Sequence, residues 1–258
     1  MKKSALINML YPAAFFIVLL AIWEAISRLN AIPVFILPAP SMVVVTLFTE
    51  FKVMSSHILI TLYETFTGFF ISIIFSILIA VLMDSIPVIR KTLYPLLVIS
   101  QTIPIIILAP LFIIWFGYGY LPKIIIVILI CFFPIAVSLL QGLAAADKEL
   151  ISLLKSMEAS KLQIYRFVKI PSSLPGFFSG LKIAAAYSIM GATIGEWVGG
   201  RNGLGVYMIR AKQSFNTDKV FAAIIVITVL SIIFLKLIEY FEKKSMPWKK
   251  IQEEEYTE

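Results

Sequence analysis

The sequence predicts an all-α, polytopic membrane protein with about six transmembrane helices and a cytoplasmic loop of two short helices. The 258 residues are 60% hydrophobic and only 14% charged, with a mean hydropathy of +0.97, whereas soluble domains are about a quarter charged. Six stretches reach the roughly 20 apolar residues that a bilayer core requires. Basic residues alternate between the flanks of these stretches, as expected for a chain that crosses the membrane repeatedly.

The predicted spans cover, in order, residues 10–27, 58–83, 92–116, 122–143, 176–198 and 220–241. Of the 22 Lys and Arg residues, fourteen lie in the flanks on the side of the two termini, seven lie in the opposite flanks, and Lys236 lies within the last span. Because basic flanks stay in the cytoplasm, we expect both termini to be cytoplasmic.

The spans carry signs of packing into a bundle. Each proline removes a helical hydrogen-bond donor, which lipid cannot replace, so the kinked helices need protein neighbours. These prolines are Pro95, Pro104, Pro110 and Pro134. The fifth span is rich in Gly, Ala and Ser, which allow close helix approach, and we expect it to be central.

We divide the chain into an N-terminal helix with an external segment (1–57), a core that holds the other five predicted spans (58–241) and a cytoplasmic tail (242–258). The core contains the one long polar interruption, residues 142–175, which we call the coupling loop. We predict a short helix in this loop with an apolar stripe formed by Leu150, Leu153, Leu154 and Met157.

Ser160 is expected to cap a second short helix that runs through Lys169 and is ended by Pro171 and Pro175. Two interpretations of the loop stay open from pattern alone. One is an amphipathic hairpin lying on lipid headgroups. The other is a docking element whose apolar stripe enters a groove on a soluble subunit.

The sequence offers few of the residues that enzymatic chemistry or metal binding needs. His57 and Cys131 are the single histidine and cysteine, so we predict neither catalytic residues nor a metal site. No phosphate-binding loop of the Gly-x-x-x-x-Gly-Lys-Ser/Thr type is present. The net charge of +7 is scattered between apolar spans, which does not favour nucleic-acid binding.

Two acidic residues near membrane depth are candidates for the solute pathway, because ionisable groups there are costly unless they face a partner or water. Glu64 is alternatively an interfacial carboxylate near the outer surface. Glu196 alternatively pairs with Arg201. The glycines that follow, Gly199, Gly203 and Gly205, predict a tight external turn that is either a plain loop or a gate contacting another protein.

The coupling loop resembles that of bacterial ABC importer permeases, which carry the pattern Glu-Ala-Ala, three residues, Gly, nine residues, Ile, one residue, Leu-Pro. Residues 152–154 fall at Glu-Ala-Ala, Glu158 at the glycine, Val168 at the isoleucine and Ile170-Pro171 at Leu-Pro. The second half is well kept. The first half departs from the pattern, because Leu153 and Leu154 replace both alanines and Glu158 replaces the glycine. A left-handed backbone at Glu158 would strain it.

From about residue 35 to 241 the chain is similar to the nitrate, sulfonate and taurine branch of these permeases. The similarity includes Leu37-Pro38-Ala39-Pro40-Ser41, Gln101-Thr102-Ile103-Pro104 and the run from Leu111 to Gly119. Residues 195–223 look most like members that import pyrimidine precursors of thiamine.

The resemblance implies a permease subunit in the bacterial inner membrane, translocating a small polar solute. It implies a second copy of the chain, two cytoplasmic ABC ATPase subunits that bind the ATP, an external solute-binding protein, and no cofactor on this chain. It assigns ATPase coupling to Leu150, Leu153, Leu154, Met157, Glu158, Ala159, Ser160, Gln163, Ile164 and Pro171.

The alternatives are an importer for nitrate, sulfonate or taurine, a membrane-embedded enzyme, and a scaffold subunit of an energy-coupled vitamin transporter. An enzyme would need paired catalytic groups at matched depth, which the sequence does not show convincingly. A scaffold subunit would show a different, basic motif in its coupling helices.

Overall fold

The computed structural model describes residues 2–29 and 31–247, and the regular secondary structure of these residues is helical. The helices are α1 (Lys2–Arg28), α2 (Pro40–Thr49), α3 (Phe51–Ser85), α4 (Pro87–Ser100), α5 (Ile105–Phe116), α6 (Leu121–Ala144), α7 (Lys148–Ser156), α8 (Lys161–Ile164), α9 (Ile170–Gly199), α10 (Leu204–Gln213) and α11 (Thr217–Ser245). A π-helical segment, Tyr165–Lys169, joins α8 to α9.

Four helical stretches are long and apolar enough to cross a membrane: α3, α6, the continuous Lys161–Gly199 helix and α11. The predicted span 92–116 is broken, because α4 and α5 meet at an angle of 100°. Pro104 stands at this break as the N-cap of α5. The first predicted span lies within α1, so the helical architecture agrees with the prediction of about six spans.

Helices α6 and α9 form the centre of the bundle, as the small residues of the fifth span predicted. A Cβ atom on Gly176 would lie 2.6 Å from the Ser138 carbonyl oxygen, and one on Gly180 would lie 2.6 Å from that of Pro134. The two backbones therefore touch where these glycines lie. Helices α3 and α11 pack around this pair.

The prediction that Pro171 and Pro175 end the second coupling-loop helix is wrong. Pro171 lies in the first turn of α9, where a missing N–H costs little, and Pro175 lies inside α9. The π segment absorbs the change in hydrogen-bond register ahead of these prolines, with Ile170 N–H donating to the Tyr165 carbonyl. The coupling loop therefore runs directly into the fifth span.

Two short helices, α2 and α10, were not predicted. They pack with the start of α11 at the end of the bundle opposite the coupling loop, which we call the outer layer. The Thr46 hydroxyl donates to Asp218 Oδ2 at 2.7 Å, and Lys219 pairs with Glu50 at 2.9 Å. Burial and the neighbouring Glu50 carboxylate raise the pKa of Tyr207, which lies on α10. The predicted tail begins at residue 242, and its residues 248–258 lie outside the described part.

Candidate functional sites

The first coupling-loop helix, α7, presents apolar side chains to the surroundings. The Asp147 side chain caps it by accepting from the backbone N–H of Glu149 at 2.8 Å. Leu153 is 57% exposed and Met157 is 70% exposed, while Leu150 is also open to the surroundings. Leu154, the fourth predicted stripe residue, is partly buried. Large exposed apolar residues on a charged helix mark an interaction surface.

The turn after α7 requires a left-handed residue, and that residue is Glu158, with φ of 58°. The Ala159 N–H donates to the Leu154 carbonyl at 2.9 Å, and the Glu158 N–H donates to the Lys155 carbonyl at 3.0 Å. These two bonds form a Schellman motif, whose left-handed position is usually glycine. The structure thus shows the strain that the departure at Glu158 led us to expect.

Ser160 caps the second short helix, as predicted. Its hydroxyl accepts from the Gln163 N–H at 3.3 Å, and the Gln163 side chain accepts from the Ser160 N–H at 2.7 Å. Ile164 is buried against the bundle. Asp84 at the end of α3 accepts from the Tyr165 hydroxyl and from Lys169 Nζ, the latter at 2.6 Å. The base of the coupling loop is therefore fixed to the membrane helices.

At the opposite end of the bundle, five polar side chains are buried together, and we call them the polar cluster. They are His57, Thr61, Glu64, Lys123 and Glu196, and none is more than 9% exposed. Three come from α3 at helical spacing, Lys123 from the first turn of α6, and Glu196 from the last turn of α9. Three membrane helices therefore meet through ionisable groups.

Glu64 is fully buried within the protomer, and its Oε1 accepts from Lys123 Nζ. Its second oxygen, Oε2, has no hydrogen-bond partner within the described residues. A buried carboxylate is tolerated only when a charge or donor compensates its lost hydration. The Lys123 ammonium supplies that compensation, so the pair ties α3 to α6.

Glu196 makes no ion pair with Arg201 in the described structure. Its Oε1 accepts from the Thr61 hydroxyl at 2.6 Å, and its Oε2 accepts from the Gly205 N–H at 2.6 Å. The Arg201 carbonyl instead accepts from the Arg210 side chain at 2.8 Å. The alternative of a Glu196–Arg201 pair is therefore wrong.

The polar cluster caps the N-terminus of α10. The Gly203 N–H donates to His57 Nδ1 at 2.9 Å, and the Leu204 N–H donates to the Thr61 hydroxyl at 2.9 Å. With the Gly205 bond to Glu196, three otherwise free helix donors find side-chain acceptors. A carboxylate at a helix N-terminus is also favoured by the helix dipole.

The glycine turn, residues 199–205, fits closely over this cluster. Gly203 has φ of 119°, and a Cβ there would overlap the Glu196 carboxylate. A Cβ on Gly205 would lie 2.5 Å from the Thr193 carbonyl oxygen. Gly199 packs on Ile113 and also lines an open cavity of about 290 Å³ beside Lys123. Gly203 and Gly205 are therefore required by packing, and a pathway role for the cluster and the turn stays a prediction.

Sequence analysis missed Lys123 and His57 as partners in this cluster. A signal existed, because Glu64 and Lys123 both lie near the start of a predicted span on the same side of the membrane, and a buried lysine needs a carboxylate. No group of three or more potential metal ligands occurs among the residues that the structure describes.

The fold defines a helical membrane protein with several spans. Residues 72–246 match the family described as the binding-protein-dependent transport system inner membrane component. The chain belongs to this family, and it is a permease subunit of an ABC importer.

The chain is 37% identical over 253 residues to the formylaminopyrimidine transport permease protein ThiX of Halalkalibacterium halodurans, covering 98% of this chain and 100% of the relative. It is 28% identical to the putative aliphatic sulfonates transport permease protein SsuC of Bacillus subtilis, covering 94% and 87%. These matches confirm the predicted branch.

Among solved structures, the chain is similar to an inward-facing MetNI methionine ABC transporter. The TM-score is 0.67 at 20% identity, and the alignment covers 76% of this chain and 97% of the other. At this identity the likeness shows the shared fold. The family and the long apolar helices make the chain a multi-pass protein of the inner membrane.

Proposed function

We propose that this permease imports a pyrimidine precursor of thiamine, such as a formylaminopyrimidine, delivered by an external solute-binding protein. The observation that carries the proposal is the 37% identity to the ThiX permease along the whole of both chains. The 28% identity to the sulfonate permease keeps a nitrate, sulfonate or taurine importer as the second candidate.

We further propose that two copies of the chain form the pathway and that two cytoplasmic ATPase subunits bind and hydrolyse the ATP. The exposed Leu153 and Met157 on α7 support docking to another subunit. The absence of a phosphate-binding loop from the sequence supports ATP binding elsewhere, with no cofactor on this chain. The apolar side chains of residues 15–20 are exposed in the protomer, leaving surface for lipid or a second copy.

The asymmetry of basic flanks supports cytoplasmic termini, since fourteen Lys and Arg residues lie on the side of the coupling loop and seven on the other. In this orientation α7 faces the ATPases and the outer layer faces the binding protein. The coupling loop then acts through Leu150, Leu153 and Met157, with Ser160 and Gln163 shaping the turn.

The substrate proposal is tested in proteoliposomes that contain the permease, its ATPase and its cognate binding protein. We expect ATP hydrolysis to rise when the binding protein is loaded with a formylaminopyrimidine, and radiolabelled solute to accumulate. Taurine, an alkanesulfonate and nitrate serve as comparison solutes. Stimulation by taurine or the sulfonate, and none by the pyrimidine, would establish the second candidate instead.

A further inference from the structure

The break between α4 and α5, residues 101–104, is an elbow at membrane depth. Helix α4 starts directly after α3 at the coupling-loop end, and its 14 residues rise by about 21 Å. The elbow shares a cavity with Leu129, Phe133 and Pro134, in the middle of the membrane-spanning helix α6, so it lies at membrane depth. The chain turns there by 100° before α5 continues towards the outer layer.

Lipid cannot satisfy the backbone hydrogen-bonding groups of this elbow. In the described part of the chain, no backbone hydrogen bond reaches the carbonyl oxygens of residues 101–103. Irregular backbone at membrane depth is tolerated only where it is covered by protein or lines a water-filled cavity. Residues 101–104 are nevertheless exposed on the protomer surface, so a wet surface or a second copy covers them.

Gln101 is the side chain with free hydrogen-bonding groups at the elbow. The neighbouring hydroxyls are occupied locally, because Ser100 donates to the Leu97 carbonyl and Thr102 donates to that of Ile99, both at 2.8 Å. Within the described residues, no hydrogen bond uses the Gln101 amide, which offers two donors and an acceptor. In the polar cluster, by contrast, His57, Thr61 and Glu196 bond within the protomer.

An open cavity of about 690 Å³ lies at the elbow, between α4, α5, α6 and α9. Gln101 and Ser100 are its polar wall, and Pro134, Met190 and Ile194 are part of its apolar wall. None of the lining residues is charged. A sulfonate or nitrate would find no cation in this wall, whereas an uncharged heterocycle with amine and carbonyl groups could bond to an amide.

We propose that the elbow lines the solute path at membrane depth and that the Gln101 amide contacts a neutral, hydrogen-bonding solute there. The inference rests on the proposed function, because it presumes that solute crosses between two copies of the chain. It assigns Gln101 as a specificity-determining residue, away from the glutamates of the polar cluster.

Water access at the elbow is tested by cysteine labelling in a Cys131→Ala background, since Cys131 is buried and is the single cysteine. Gln101→Cys is compared with Ile233→Cys, which places an exposed side chain near the middle of α11. A membrane-impermeant thiosulfonate reacts with the thiolate, which forms in water and not in lipid. We expect Gln101→Cys to react at least about tenfold faster than Ile233→Cys in at least one of two states. The two states are the transporter without nucleotide and the transporter with a non-hydrolysable ATP analogue.

Contact with solute is tested separately by Gln101→Leu and Gln101→Asn. We expect Gln101→Leu to lower pyrimidine uptake about tenfold, the scale of one lost hydrogen bond, without reducing ATPase association. Gln101→Asn should retain more uptake because it keeps an amide.

Slow labelling of Gln101→Cys in both nucleotide states would overturn the assignment of the elbow to the path. Unchanged uptake by Gln101→Leu would overturn the assignment of its amide as a solute contact. The labelling experiment does not depend on transport of the pyrimidine. If the wild type fails to import the pyrimidine, the proposed substrate is refuted, and the labelling rates still test whether the elbow is exposed to water.

Discussion

The coupling loop and the polar cluster are both unusual in which side chains they bury. The coupling loop exposes apolar side chains, and the polar cluster buries charged ones. The coupling loop places Leu153 and Met157 in the open, whereas the polar cluster places Glu64, Lys123 and Glu196 inside the bundle. In the cluster the buried groups bond to each other and to the α10 backbone. In the loop, Leu150 is exposed in the protomer as well, and of the stripe only Leu154 is partly buried.

The two regions differ in what their unusual side chains stabilise. The buried polar groups stabilise the protomer, and the exposed apolar groups stabilise a complex with a partner. Polar groups that satisfy one another inside a protomer hold helices in register, and removing one leaves the others uncompensated. Apolar groups left exposed add nothing to the protomer's stability and gain free energy only when a partner covers them. Substitutions should therefore affect assembly in the loop and folding in the cluster.

The largest effect is expected from Leu153→Asp, which places a charge in the apolar stripe of α7. Burying this carboxylate against an apolar groove has no compensating partner, so we expect complete loss of ATPase co-purification. Permease levels in the membrane should stay normal, because Leu153 is 57% exposed in the protomer.

Ser152→Asp is the matched control, since Ser152 is an exposed neighbour on the same helix but outside the stripe. It should retain the ATPase. If Leu153→Asp also retained the ATPase at wild-type stoichiometry, the stripe would be resting on lipid headgroups, and the hairpin interpretation would be correct.

The next largest effect is expected from Lys123→Met in the polar cluster. It leaves the Glu64 carboxylate buried without its ammonium, which costs about 3–5 kcal/mol of folding free energy. The double variant with Glu64→Gln should recover much of this loss, and a thermodynamic cycle of thermal or denaturant unfolding in detergent measures the coupling.

Lys219→Met is the control, because the Lys219–Glu50 pair in the outer layer is about one-third exposed. Its loss should cost below about 1 kcal/mol. Full stability of Lys123→Met would show that Glu64 does not depend on the ammonium, and that the cluster is not a structural tie.

A smaller loss is expected from Gly203→Ala, which combines a left-handed backbone with overlap on Glu196. We expect a loss of about 1–3 kcal/mol and weaker attachment of α10, measured as faster hydrogen exchange in Leu204–Gln213. Gly117→Ala separates backbone strain from overlap with a neighbour, because Gly117 has φ of 76° but open space around it.

Gly119→Ala has neither strain nor overlap and should be neutral. Equal stability of all three alanine variants would contradict the tight fit of the glycine turn on the cluster.

The smallest effect is expected from Glu158→Gly in the coupling loop. Glycine relieves the left-handed strain at the cost of a more flexible unfolded chain, so stability should rise by at most about 1 kcal/mol, with near-normal uptake. Phe215→Gly is the comparison, because Phe215 has φ of 56° but its ring packs against Phe35. It should bring no gain. Loss of uptake by Glu158→Gly at normal membrane levels would reveal a specific contact of the Glu158 carboxylate.

The long apolar spans were predictable because lipid imposes length and composition on each one separately. The short helices were not, since α2 and α10 have only ten residues each, and helices of that length form against neighbours rather than from their own pattern. Pro40 was a usable start signal for α2, because proline favours the first helical turn. Pro104 indicated a break, but a sequence does not give its angle.

The candidate sites differ in the same way. Ser160 and Gln163 are three residues apart, so their capping box could be predicted from local spacing. Glu64 and Lys123 are 59 residues apart, and their pairing depends on how α3 packs against α6. Local patterns therefore predicted the Ser160 cap of the coupling loop, but the polar cluster only as isolated glutamates.

The continuous helix from Lys161 to Gly199 also makes the two ends of the protein mechanically dependent. Its 39 residues amount to a rod of about 58 Å, which starts in the coupling loop and ends at Gly199, within one turn of Glu196. A tilt of about 10° about its midpoint would carry each tip through about 5 Å, in opposite directions. The π segment Tyr165–Lys169 is the place where this rod departs from regular α-helical winding. A movement of the coupling loop would therefore shift the opposite end of this helix in the opposite direction.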